Sequence, residues 1–194
     1  AHCVGTVPII TVRRGGNSWT ATCQRHETYT PDWTGGCGRG GNCPTSADYA
    51  LCLIDGEPNF PKQERLNINP QVVSIGGLVQ LLGFGCTVKP GVGGSTFERE
   101  VLSSGWGRIT RLPSGQDNYF DTSWDLTGAN QPVPANVAGG ANVCPGDSGG
   151  AVYLAARNMP GVRSIVGIAS RVGTANGLVT GPSYLSAMAT PAAE

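Results

Sequence analysis

The sequence predicts an all-β protein, a barrel or a sandwich, and three observations carry this. Thirty glycines and fourteen prolines stand among short apolar runs, which sets many turns between short strands. Helical periodicity is nearly absent. With 194 residues, 39% of them apolar, the chain can bury an ordinary core.

The elements follow in order. Residues 4–12 (VGTVPIITV) and 19–23 (WTATC) read as strands around the turn-prone RRGGN at 13–17. Residues 30–46 read as a long loop pinned by disulfides, 49–54 (YALCLI) as a buried strand, and 56–71 as a polar connection containing three prolines. The longest β-type pattern is VVSIGGLVQLLGFG at 72–85, where Gly76 and Gly77 mark a bulge or a corner and a second β unit begins. Strands are expected near 98–103 and 107–112, then at 151–155 (AVYLA), 164–170 (SIVGIAS) and 183–188 (SYLSAM).

Thirteen basic and thirteen acidic residues cancel, and no basic cluster is present, so neither nucleic acid nor a membrane is the expected partner. No apolar run reaches the roughly 18 residues of a membrane span. The seven cysteines lack the paired spacing of zinc knuckles and read mainly as disulfides, which favours a secreted or periplasmic setting. Their odd number leaves one thiol free or paired outside the chain. Glu27, Asp32 and Asp48 are too sparse for a calcium cage, and neither a metal nor a cofactor is expected.

Chemistry concentrates at CPGDSGG, residues 144–150. A serine hydroxyl attacks a carbonyl only with an adjacent base and with donors for the developing oxyanion. Glycines on both sides of Ser148 let the backbone turn so that the amides of Gly146 and Ser148 converge. Alone, the string also fits an ordinary turn, the less favoured reading. His2 supplies a candidate base, and Asp48, entering the apolar strand DYALCL, needs a partner such as an imidazole N–H. Taken singly, His2 reads as a solvated terminal residue and Asp48 as a turn residue.

The order His, Asp, Ser resembles that of the trypsin/chymotrypsin-like serine proteases, over nearly the whole chain. AHC at 1–3 is similar to the end of the family's TAAHC, DYAL at 48–51 to DIAL, and HETY at 26–29 to HPxY. LGFG at 82–85 resembles the GWG that opens the second barrel, although SGWG at 104–107 competes on letters; IVGIAS at 165–170 and GPSY at 181–184 resemble VGIVS and PGVY.

The resemblance implies two six-stranded antiparallel Greek-key barrels, with residues 1–70 in the first and 71–194 in the second. It implies a secreted endopeptidase acting on polypeptides, with Ser148 as nucleophile, His2 as general base, Asp48 orienting the imidazole, and the Gly146 and Ser148 amides as oxyanion hole. Its specificity pocket would involve Asn142, Ser170, Val172 and Pro182. A neutral Asn142 at the base argues against strict Arg or Lys specificity, and the bulkier wall favours a small or neutral side chain. His26 falls in the HPxY-like segment and takes a loop or surface role.

The chain also departs from the family pattern. The strands that precede the histidine motif are expected before Ala1, which leaves the first barrel incomplete and Cys3 without its usual partner. A missing N-terminal chain or segment linked through Cys3 is therefore an expected partner. In the family a new N-terminal amine pairs with the aspartate at the position of Asp147 to order the oxyanion loop, and no such amine is expected in the right place in this chain. The family's partner for Cys144 has no counterpart between Ser170 and Tyr184, and Cys86 is the expected substitute. Two alternatives stand beside the protease reading: a catalytically silent homologue or inactive fragment that binds or regulates, and a disulfide-rich carbohydrate-binding module using Trp19, Trp33, Trp106 and Trp124.

Overall fold

The computed structural model describes residues 3–4, 7–27, 29, 47–56, 60, 63–84, 102–114, 117–130, 140–155, 163–175 and 178–188. These are organised in two compact units, Ala1–Gln63 and Glu64–Glu194.

The first unit is built on a three-stranded antiparallel sheet, β1 (Ile9–Arg14), β2 (Asn17–Arg25) and β3 (Ala50–Ile54), in that spatial order. β1 and β2 form a tight hairpin, because Gly15 and Gly16 take φ of 53° and 83° and a two-residue turn of this hand needs positive φ at both positions. Arg13 and Arg14 therefore belong to the strand rather than to the turn. Cys23 and Cys52 stand opposite each other on β2 and β3 and are joined by a disulfide.

Residues 49–54 were expected to be buried, and the structure corrects this: Leu51 is 64% and Leu53 77% exposed. A continuous apolar run reads as a strand covered on both faces. Among the described residues, however, β3 pairs only with β2, and Leu51 and Leu53 project from the uncovered face.

In the second unit a short strand, β4 (Arg65–Leu66), hydrogen-bonds in parallel to β9 (Arg163–Ala175), which draws the unit's start back to Glu64. A single 3-10 turn, Pro70–Val72, follows; Asn69 caps it by accepting the Gln71 amide at 3.0 Å. Gly76, at φ 80°, and Gly77 then form a turn that is tied to Ile109 by two backbone bonds.

Six strands close into an antiparallel barrel: β5 (Leu78–Gly83), β6 (Ser103–Arg111), β7 (Tyr119–Ser123), β10 (Leu178–Ala187), β9 and β8 (Ala151–Ala155), which returns to β5. Its interior is filled by Val79, Leu81, Ile109, Phe120, Val152 and Leu185, each less than 5% exposed. Burying the Phe120 ring alone contributes about 2 to 3 kcal/mol. Gly167 is required beside it, since a Cβ there would meet the ring at 2.7 Å.

β6 takes in most of the strand expected near 107–112 and begins earlier, running through the glycines Gly105 and Gly107; of the strand expected near 98–103, residues 98–101 lie outside the described residues. The glycines serve close approach: a Cβ on Gly105 would meet the Ala141 Cβ at 2.3 Å, and one on Gly107 would meet Thr122 at 3.0 Å. β7 was not expected at all. Its Asp121 is buried because Arg111, on β6, donates to both carboxylate oxygens at 2.8 Å while also pairing with Asp117. These bonds hold the guanidinium pKa above its usual range, with the Asp121 hydrogen bond contributing most.

Candidate functional site

The second unit carries the serine in the connection between β7 and β8, directly before β8 begins at Ala151. Val143 and Cys144 are buried and anchor the entry to a turn in which the Asp147 amide donates to the Cys144 carbonyl at 3.0 Å. The Gly150 amide donates to the Asp147 carbonyl at 2.9 Å. Gly146 and Gly149 have φ of 104° and 86°, a region that penalises any side chain with a Cβ. On the far side, the Gly149 amide donates to the Ala169 carbonyl, and the Ala169 amide donates to the Gly150 carbonyl, both at 2.8 Å. The turn is thereby stitched to β9.

The amide pattern is informative. Those of Asp147, Gly149 and Gly150 are all engaged, whereas among the described residues those of Gly146 and Ser148 have no acceptor. Two backbone donors in one tight turn are thus left without an acceptor among the described residues, and an available donor is what a developing oxyanion requires. The Ser148 hydroxyl donates to the Ser170 carbonyl at 3.2 Å, so its resting rotamer lies along β9.

The family pattern pairs Asp147 with an N-terminal amine, and this chain was expected to have none in the right place; Ala1 lies outside the described residues. In the structure Asp147 Oδ1 accepts the Phe84 amide and its Oδ2 accepts the Cys144 amide, each at 2.9 Å. Sequence reasoning missed Gly83, against which this carboxylate packs. LGFG was recognised as a motif, but nothing in its spacing points to a contact 63 positions away.

Of the four residues expected to line a pocket, Ser170 and Val172 fall on β9, Pro182 on the neighbouring β10, and Asn142 in the connection between β7 and β8. The Asn142 side-chain amide donates to the Gly181 carbonyl at 3.0 Å, and its Oδ1 accepts the Ser183 hydroxyl at 3.2 Å. Ser183, fully buried, also accepts the Val143 amide at 2.9 Å. Asn142 is thus tied into the wall by both of its functional groups. Ser170 is buried and shares a hydrogen bond of 3.0 Å with the Tyr119 hydroxyl. Val172 packs on the barrel core, and Pro182 lies at a bulge between β9 and β10. Here Gly173 and Gly181 approach so closely that a Cβ on either would reach the other's Cα at 2.8 Å.

Tyr119 and Arg171 were not anticipated. Arg171 donates to the Tyr119 hydroxyl through Nη2 at 2.8 Å, and its guanidinium lies 4.8 Å from the Tyr119 ring centroid. No periodic signal surrounds Tyr119, so the sequence offered no means of finding it.

In the first unit Asp48 is 5% exposed at the entry to β3, as its position before an apolar strand implied. His2 lies outside the described residues. Its neighbour Cys3 is exposed and free, and partial desolvation, with the negative charge of Asp48 adding to it, pushes the thiol pKa up. The Asp48 carboxylate thus acts on the residue next to His2. His26 stacks its ring 5.0 Å from that of Tyr49 and its amide donates to the Tyr49 carbonyl. It also lines a cleft of about 420 Å³ together with Val4, Pro8, Arg25 and Tyr29.

Cys144 is disulfide-bonded. Cys86, its expected partner, lies outside the described residues, as do Asp32 and Trp33. No group of three or more metal-ligating side chains occurs among the described residues. No family model and no curated protein matches the chain.

Proposed function

We propose that the chain is a secreted serine endopeptidase of the trypsin/chymotrypsin-like kind, its second unit one of two Greek-key barrels. The observation that carries this reading is the turn at Gly146–Ser148, where the amides of Gly146 and of Ser148 itself have no acceptor among the described residues. The motif order from His2 through Asp48 to Ser148, the burial of Asp48 and its electrostatic influence on Cys3 support it.

In the proposed reaction the Ser148 hydroxyl rotates away from the Ser170 carbonyl and His2 takes its proton as Oγ bonds to the scissile carbonyl carbon. Asp48 accepts a hydrogen bond from the other imidazole nitrogen and holds the tautomer. The carbonyl oxygen, now negative, receives the Gly146 and Ser148 amides. Collapse expels the amine, protonated by His2, and leaves an acyl-enzyme at Ser148 that water hydrolyses by the reverse sequence. Asn142, bound to Gly181 and Ser183, brings no charge to the pocket, and Val172 and Pro182 narrow it; both features favour small neutral side chains. Disulfides at Cys23, Cys52 and Cys144 support an oxidising, extracellular or periplasmic setting.

The test is labelling by a fluorophosphonate probe, with the modified residue located by mass spectrometry. Modification of Ser148 that disappears in Ser148→Ala and His2→Ala supports the reading. A folded chain that stays unlabelled rejects it in favour of a binding protein.

A further inference from the structure

Two consecutive residues of β9 end on one phenol oxygen. Ser170 Oγ shares a hydrogen bond of 3.0 Å with the Tyr119 hydroxyl, and Arg171 donates to the same oxygen through Nε at 3.3 Å and Nη2 at 2.8 Å. In a regular strand neighbouring side chains point to opposite faces. A bulge removes that obstacle: Ala169 faces Leu185 and Arg171 faces Tyr184 on β10, so Ser170 is the extra residue. Tyr119, on β7, is 3% exposed, and the Arg171 guanidinium lies 4.8 Å from its ring centroid and 6.0 Å from that of Tyr184.

The peptide unit between Ser170 and Arg171 is therefore held from both ends. Its carbonyl is the one that accepts the Ser148 hydroxyl, at 3.2 Å. The residue before it is fixed as well, since Ala169 is bonded through its carbonyl to the Gly149 amide and through its amide to the Gly150 carbonyl. We infer that Tyr119 and Arg171 are positioning residues: they latch Ser170 so that its carbonyl parks the Ser148 hydroxyl in a resting rotamer. The part the latch plays in a reaction rests on the protease reading.

The sign of its effect follows from where the proton points. A hydroxyl that donates to a backbone carbonyl does not donate to a base, so this bond stands before the reaction and is broken during it. An interaction made only in the ground state slows the chemical step. One neutral hydrogen bond biases such an equilibrium by roughly 2- to 10-fold. At 3.2 Å, long for an O–H donor, the bond to Ser170 stands at the lower end, which makes the latch a brake of about 3-fold.

The experiment compares the full chain with two variants. Tyr119→Phe keeps the ring and removes the shared oxygen; Arg171→Met keeps an unbranched stem and removes the donors. Two readouts are taken: the Ser148 rotamer in crystals, and the saturation kinetics of fluorophosphonate labelling at Ser148. Both variants are expected to release Ser148 Oγ from the Ser170 carbonyl and to raise the maximal labelling rate by about 3-fold, with half-saturation unchanged. General damage to the barrel would lower that rate instead. Arg171 is only partly buried, so its variant decides the matter even where Tyr119→Phe does not fold. A Ser148 hydroxyl that stays on the Ser170 carbonyl in the variants, or labelling that slows, would overturn the inference while leaving the protease reading intact. A released rotamer in chains that never label would retire the protease reading, and the braking role with it.

Discussion

Replacing Gly83 by alanine isolates the seat of Asp147, because the new methyl group has one obstacle. Its Cβ would stand 2.3 Å from Asp147 Oδ1, where ordinary contact needs about 3.5 Å, so the carboxylate must retreat by about 1 Å. Hydrogen bonds of 2.9 Å to Phe84 and Cys144 do not survive that displacement. Both are charge-assisted, but the Phe84 bond is exposed and the Cys144 bond only partly buried, which puts the combined loss at about 2 to 3 kcal/mol. For a unit of this size the melting temperature falls by about 10 °C. Gly128→Ala is the control: nothing lies within 4 Å of its Cβ, and its φ of 77° exacts only the left-handed penalty of about 1 to 2 kcal/mol. Calorimetry gives the magnitudes and hydrogen exchange gives the location. Gly83→Ala should deprotect the Phe84 and Cys144 amides, and Gly128→Ala should not. A Gly83→Ala protein that melts with the wild type and keeps both amides protected refutes the reasoning.

Three further outcomes follow from the same geometry. Asn142→Asp places a carboxylate oxygen against the Gly181 carbonyl in place of a donor. It should destabilise the second unit by about 1 to 3 kcal/mol in chemical denaturation without conferring cleavage after Arg or Lys, and efficient cleavage there would contradict the wall geometry. Removing Cys23 and Cys52 together opens a link across 29 residues and should lower the first unit's stability by about 3 to 4 kcal/mol, read as a separate early melting step. Because burial and the Asp48 charge raise the Cys3 pKa, less thiolate is present at a given pH than in the unfolded chain. Alkylation should therefore accelerate as pH rises through the elevated pKa, and Asp48→Asn should speed it at pH 8; an unaltered rate would separate Asp48 from Cys3.

The parts of the fold legible in the sequence are those where local pattern and tertiary role agree. AVYLA and SIVGIAS are strands of a closed barrel that bury apolar residues such as Val152, Tyr153, Val166 and Ala169, and β8 and β9 fall where those runs lie. The reading failed where a residue's reason lay across the sheet. Gly105 and Gly107 are spacers against Ala141 and Thr122, a role that no pattern within β6 announces. YFDTS was not expected as a strand, and its buried Asp121 has its partner, Arg111, on the neighbouring strand. Leu51 and Leu53 promised a covered strand, which apolar letters alone cannot distinguish from an uncovered one.

The site divides in the same way. GDSGG is a local turn, so its glycines disclosed the positive φ values at Gly146 and Gly149. The burial of Asp48 followed from a carboxylate entering an apolar strand. The Asp147 seat on Gly83 and the Tyr119–Ser170 hydrogen bond join positions 64 and 51 residues apart, and side-chain periodicity carries no information at that range.

Pre-steady-state hydrolysis of an activated ester tests the central claim most directly, because it counts acyl-enzymes. An activated nucleophile at Ser148 gives a burst of one leaving group per chain before slower turnover, abolished in Ser148→Ala and in His2→Ala. A folded wild-type chain that releases the leaving group without a burst, at the same rate as Ser148→Ala, would contradict the assignment of Ser148 as a nucleophile.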